Sequence, residues 1–531
     1  MLDLIILDGT VIDGSGSPKV KQDVGILKGE IAKIGELKGV PATQVIDAEG
    51  LIICPGFIDI HSHADWNLLI DPKAESAIHQ GLTTVVVGNC GFSNAPIRDK
   101  QMLSTILPSY LRREVEIDWH SFGEYLQRVE SRGLALNVVH LVGHSALRIA
   151  AMGFDNRAPD AKELADMKQL LIDALDQGGC GVSFGLEYAP GSNATIEEMV
   201  VLCQDVSDRG LFYAVHMRNQ DYGYLDAIDE VIEVARRSGA SLEISHITPH
   251  ACLEQNIVIR ALEKVQLARQ EGVNVNFDAH PYLWNETFLS TFLPPWAFEG
   301  GVNNLLKRLS DPVVRKMIKQ HKGRLFQPLY DRQRWDSFIL SQSQNNPQFA
   351  GKSIKEISNQ LQMDPEDVIL ELLYQEGEGL YDMRWLVKGI EESAVPKVLS
   401  DGNAIIGTDG MALCRQGPLA SIRAHPRSWG ATAKLLGEYV REKELMSLEM
   451  AVHKFTAMPA RKVGLTDRGF IGEGYIADLV LFHPDTIRDR ATYQEPNQPP
   501  ERIDYVIILG EIVLDHGEQT DAMPGRILRS N

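Results

Sequence analysis

This sequence predicts an α/β protein: a (β/α)8 barrel of the TIM type, with a small β-sandwich domain formed by both termini. Three observations lead there. The middle of the 531-residue chain alternates amphipathic helices with short apolar runs. That is the signature of parallel strands buried beneath helices. Eight such runs are present in the middle, the number that closes a barrel. Both ends carry short β-rich runs joined by tight turns, and pairing one end with the other would remove exposed strand edges.

Taken in order, LDLIILDG, TVIDG, DVGILKGEIAKIG and QVIDAEGLIICPG read as strands, with Lys28-Gly29-Glu30 as a hairpin turn. The barrel candidates follow: PGFIDIHSH, LTTVVVGNC, LNVVHLVGH, CGVSFGLEY, LFYAVHMR, SLEISHI, VNVNFDAHPY and NAIIGTDG. Helical segments such as AKELADMKQLLIDALDQGG and YLDAIDEVIEVARRSG carry apolar residues at 3.6-residue spacing and end in glycine. Thr195 and Glu198 have the spacing of a capping box. MRWLVKG is a ninth strand candidate, which leaves the numbering of the later barrel strands open. Residues 284–350 have no place in the repeat and suit a lid inserted over the site. IADLVLFHP and DYVIILGEIVLDHGE, the second turning at Gly510-Glu511, return to the β texture. The expected domains are therefore a β-sandwich of 1–55 with 465–531, and a barrel of 56–464.

Charge and cysteine usage narrow the partners. Lys plus Arg is 52 against 72 Asp plus Glu, a net charge of −20. Nucleic acid and anionic membranes are thereby disfavoured, since both call for clustered cations. No uncharged run reaches the ~18 residues of a membrane span, and the acidic amino terminus is unlike a signal peptide. Cys54, Cys90, Cys180, Cys203, Cys252 and Cys414 are dispersed, unlike a secreted disulfide framework. A cytoplasmic protein acting on a small molecule is expected, with homo-oligomerisation open.

Barrel sites lie at the carboxyl ends of the strands. There the sequence places His61-Ser62-His63, Cys90, His216, His246 and Asp409. Imidazoles, a thiolate and a carboxylate form a ligand set for Zn²⁺ or a similar divalent ion. His61 and His63, two apart on a strand, point the same way and can share one ion. A serine-hydrolase reading has some support, because Gly181-Val182-Ser183-Phe184-Gly185 fits G-x-S-x-G. That elbow must lead into a helix, however, and the loop sequence Leu186-Glu187-Tyr188-Ala189-Pro190-Gly191 follows instead. A non-catalytic scaffold is disfavoured by the complete ligand set.

The His-x-His after CPGFID, the later single histidines and TDG resemble the amidohydrolase superfamily, and VVVGNCGFS, GLEYAPG and HPR resemble its D-aminoacylase (N-acyl-D-amino-acid deacylase) branch. The resemblance implies a metal-dependent amide hydrolase acting on N-acyl-D-amino acids or D-dipeptides. It implies a tight zinc held by Cys90, His216 and His246, and a second, weaker divalent metal position at His61 and His63. Asp409 would be the general acid/base, Arg427 and Tyr188 would bind the substrate carboxylate, and His144 is a candidate hydrogen-bond donor to the developing oxyanion. Two departures weaken the carboxylate expectation. Thr248 stands where a lysine is expected, leaving one positive charge rather than two, and the stretch between Asp409 and Arg427 is long. An uncharged or cyclic amide is the alternative substrate.

Overall fold

The computed structural model describes residues 1–99, 108–250 and 256–530. The barrel strands are Phe57–Asp59, Leu82–Val87, Asn137–His140 continuing as Val142–Gly143, Gly181–Gly185, Phe212–His216, Ser241–Ile244, Val275–Ala279 and Ala404–Ile406. Each pairs in parallel with its successor, from Ile58 beside Thr84 to Asp278 beside Ile405. A parallel bridge between Ser62 and Gly410, just past the first and last strands, closes the ring. Strands two to five are buried at every residue. One side chain in two enters the barrel while the next meets a helix, hence the unbroken apolar runs.

MRWLVKG does not belong to this ring. Arg384–Val387 is the middle strand of a three-stranded antiparallel sheet, between Asn285–Phe288 and Phe338–Gln342. Around it lies a separate hydrophobic core that includes Phe292, Leu305, Phe338, Ile369 and Trp385. The inserted segment thus runs on to Val387, beyond the expected 284–350. An apolar run of three cannot reveal whether its partners will be parallel or antiparallel, which is why it reads as a barrel candidate.

The ends of the chain meet as strands. One sheet has the order Glu30–Gly35, Asp23–Leu27, Leu2–Leu7, Ala42–Asp47. In the other, Ile52–Pro55 lies between Thr10–Val11 and Leu479–Phe482, which continues to Ile503–Ile508 and Glu511–Asp515. Leu4, Ile6, Val24, Ile53, Leu479 and Ile507 fill the space between the sheets. Lys28 and Gly29 both have positive φ, 53° and 82°, the type I′ hairpin geometry that the Lys-Gly pair suggests. One pairing has no counterpart in the sequence reading: Ile527–Leu528 joins Asn137–His140 in parallel, so the tail adds a strand to the barrel sheet.

Thr195 caps its helix by accepting from Glu198 N at 3.1 Å. The box is only half made, because the Glu198 carboxylate turns inward to Arg148 and His144. Five cysteines are free and buried, and Cys252 lies outside the described residues. Among the described residues no helix is long and apolar enough to cross a membrane.

Candidate metal centre

Cys90, His246 and Asp409 each follow a barrel strand, and each has a left-handed backbone, with φ of 53°, 33° and 51°. Such a conformation costs a non-glycine residue about 1–3 kcal/mol and survives only where its surroundings enforce it. Here they do. Gly91 N donates to Ser183 Oγ at 3.0 Å, His246 N to Asp278 Oδ1 at 2.8 Å, and Asp409 N to His61 O at 2.8 Å. Cys90 Sγ consequently lies 3.3 Å from His61 Nε2, 3.6 Å from His246 Nε2 and 3.8 Å from His216 Nδ1. Carboxylates turn two of these rings: Asp278 Oδ2 is 3.1 Å from His61 Nδ1, and Glu187 Oε2 is 2.7 Å from His216 Nε2. A ring held at one nitrogen presents the other to the cluster. Burial alone would push the Cys90 thiol up, but the charge of His61 and hydrogen bonds from His216, His246 and His61 outweigh it. The thiol is held well below its usual range.

Asp409 stands beside this group. Its Oδ1 is 3.2 Å from His63 Nε2 and 3.5 Å from His61 Nε2, and its Oδ2 is 2.9 Å from Arg427 Nη1. Burial raises its pKa, yet Arg427, His61 and the His63 hydrogen bond prevail and hold the carboxyl well below the usual carboxylate range. Arg427 is itself fixed from behind, its backbone N donating to His425 Nδ1 at 3.0 Å and its Nη1 lying 3.3 Å from His280 Nε2. A cavity of about 1060 Å³, counting its open mouth, adjoins the cluster and is of the size that takes a small molecule. His63, Cys90, His246, Asp409, Arg427 and Tyr188 line its barrel side. Glu286, Thr287, Phe288 and Arg384 line the side made by the inserted sheet, and Tyr188 Oη meets Thr287 Oγ1 at 3.4 Å where the two sides join.

The donor set fits a divalent metal. Four-coordinate zinc with bonds of about 2.0–2.3 Å has ligand atoms about 3.3–3.8 Å apart. The Cys90 contacts fall in that range, and ligand atoms of two trios, His61-Cys90-His246 and His61-His63-Asp409, lie within 4.8 Å of one another. His61 is common to both. A family model described as "Amidohydrolase family" matches residues 44–327 and 336–514.

The chain belongs to the amidohydrolase family. Among its amidohydrolase relatives is an N-acyl-D-glutamate deacylase of Alcaligenes xylosoxydans xylosoxydans, 34% identical over 99% of this chain and 96% of that one. A D-aminoacylase of the same organism is 32% identical over 99% and 97%. The solved N-acyl-D-glutamate deacylase from Bordetella bronchiseptica, complexed with zinc and a phosphonate mimic of the tetrahedral intermediate, superposes with a TM-score of 0.83 at 31% identity, covering 99% of both chains. A D-aminoacylase studied for its binuclear metal centre, with one-metal activation and second-metal attenuation, gives 0.84 at 30% identity, covering 100% of both.

Within the amidohydrolase cavity the expectation for His144 changes. His144 does not line it: the ring is buried, its Nε2 is 2.7 Å from Glu198 Oε1, and it packs 4.8 Å from Phe184. The Glu198 carboxylate that pairs with Arg148 thus also takes up this ring nitrogen. The cavity also holds a cation besides Arg427. Thr248 is buried off the cavity, but the inserted strand supplies Arg384, a second guanidinium that composition cannot distinguish from any other arginine. Ser183 is no nucleophile, since its hydroxyl donates to Gly88 O and accepts from Gly91 N inside the barrel. Asp278 and Glu187 escape a search for strand-end histidines; their positions, at the end of strand seven and beside Tyr188, are the signal that could have found them.

Proposed function

We propose that this amidohydrolase is a zinc-dependent deacylase of N-acyl-D-amino acids. The carrying observation is a thiolate-and-imidazole cluster around Cys90 directly beside the Asp409–Arg427 pair, in a chain similar over its full length to deacylases of that class. In this reading Cys90, His216 and His246 hold the tight ion, and His61 and His63 form the weaker position. A zinc ion held by these residues would supply Lewis-acid polarisation of the amide carbonyl and a lowered pKa for the attacking water.

The remaining steps belong to side chains. Asp409, kept ionised by Arg427 and the histidines, accepts the proton of the attacking water at Oδ1. It then passes that proton to the leaving nitrogen, without which the amine could not depart. Arg427 and Tyr188 take the substrate's α-carboxylate, the guanidinium through its planar fork. Glu187 and Asp278 fix the rings of His216 and His61. Residues 56–464 carry this chemistry, and the β-rich unit of 1–55 with 465–531 supports them from the side. A reducing cytoplasm suits the free thiol of Cys90, and the net charge of −20 suits a small substrate rather than a polyanion.

The decisive experiment is hydrolysis of N-acetyl-D- and N-acetyl-L-amino acids by zinc-loaded enzyme, with cyclic imides alongside. Turnover of the D series and little of the L series is expected. Turnover of imides alone would replace the reading with the uncharged-amide alternative.

A further inference from the structure

We infer that Arg384 is a specificity residue that binds a carboxylate on the side chain of the substrate's amino-acid half; this rests on the deacylase reading above. Arg384 opens the inserted strand Arg384–Val387 and faces the same cavity as Cys90 and Asp409. Its side chain is 15% exposed, so the guanidinium is largely withdrawn from solvent. What it touches is weak. Nη1 lies 3.1 Å from Met411 Sδ and 3.7 Å from Glu286 Oε2, and the group stands 5.3 Å from the Phe288 ring centroid. A thioether is a poor acceptor, and 3.7 Å is too long for a hydrogen bond.

Buried guanidiniums elsewhere in the molecule are held more closely. Arg148 has both Glu198 oxygens at 2.8 Å, and Arg324 has Glu366 at 2.9 Å. In the cavity, Arg427 is bonded to Asp409 at 2.9 Å. Arg384 differs in having a neighbouring carboxylate close enough to offset its charge yet too far to occupy its donors. An arginine carries five N–H donors in a rigid fork matched to a carboxylate. Facing a ligand cavity, that open fork is a carboxylate subsite. Because Arg427 belongs to the Asp409 side and Arg384 to the inserted wall, the two cations bind separate anionic groups: the α-carboxylate at Arg427 and an acidic side chain at Arg384. A neutral side chain would leave the Arg384 donors unmatched on desolvation, which penalises it relative to an acid.

The test compares N-acetyl-D-glutamate with its near-isosteres N-acetyl-D-glutamine and N-acetyl-D-methionine, using zinc-loaded wild type, Arg384→Met and Arg384→Lys. Wild type is expected to favour the glutamate substrate by at least ~30-fold in kcat/KM, the scale of a charged group losing its partner in a desolvated site. In Arg384→Met that preference should shrink to about threefold or less, through loss on glutamate rather than on methionine. Arg384→Lys should retain a reduced preference, which keeps the test open if the methionine variant folds poorly. Calorimetric binding of the product D-glutamate, expected to weaken in Arg384→Met while D-glutamine binding does not, reports on the subsite independently of turnover. Equal losses on all three substrates, or a wild type that prefers glutamine, would overturn the assignment while leaving the deacylase reading intact. No turnover of any N-acetyl-D-amino acid would overturn both.

Discussion

Cys90 and Asp409 separate two roles that lie within one cluster. If Cys90 is a zinc ligand, Cys90→Ala should lower bound zinc below one per chain and remove most activity, because the tight position then keeps only the imidazoles of His216 and His246. Full zinc content with full activity would end that role. Asp409→Asn keeps the shape and removes the base, so kcat should fall ~10²–10⁴-fold with the tight zinc retained. Loss of zinc together with the carboxylate would instead make Asp409 a ligand. At this scale the sequence was legible wherever a rare residue type stood at a strand end, as with His61, His63, Cys90, His216 and His246. It was not legible for Asp278 and Glu187, carboxylates in a chain with 72 acidic residues. Nor could it show that the Glu198 side chain, placed for capping, would turn inward and occupy His144.

At the scale of elements, parallel strands betray themselves by unbroken apolar runs, and the eight of the barrel were found that way. The inserted sheet has no such signature, since the short apolar stretch of MRWLVKG reads like that of a barrel strand and only its antiparallel neighbours set it apart. The tail was missed for another reason: Ile527–Leu528 is two residues long, and its pairing depends on backbone approach rather than apolar pattern. Gly525 permits that approach. Its N donates to Leu134 O at 2.8 Å, and a Cβ built on it would meet Leu136 O at 2.1 Å and Leu136 C at 2.4 Å. Since the obstruction is backbone, Gly525→Ala should push the tail off the third barrel strand and cost about 1–3 kcal/mol. The thermal midpoint at fixed scan rate should drop accordingly, with kcat little changed because the tail does not line the cavity. An unaltered midpoint would mean that the pairing contributes nothing to stability.

Over the whole molecule, the barrel's buried interior governs how acid affects it. His140 lies in the third strand at 2% exposure, with Tyr125 edge-on 5.2 Å away and no hydrogen-bond partner for Nε2 among the described residues. Burial, aided by the charge of Arg529, pushes its pKa down to about 3. An unfolded histidine titrates near 6.5. Between these values the unfolded chain holds a proton that the folded chain excludes, so this residue's contribution to stability is present above about pH 6.5 and is lost as pH falls, by about 1.4 kcal/mol per pH unit. His140→Phe removes that linkage and leaves the aromatic contacts. Any packing cost of the larger ring is independent of pH, and zinc release in acid is common to both proteins, so the informative quantity is the difference between their thermal midpoints at each pH. From pH 7 to pH 5 the wild type should lose more than the variant. Parallel curves would show that His140 takes up its proton inside the folded barrel, against the geometry of its pocket.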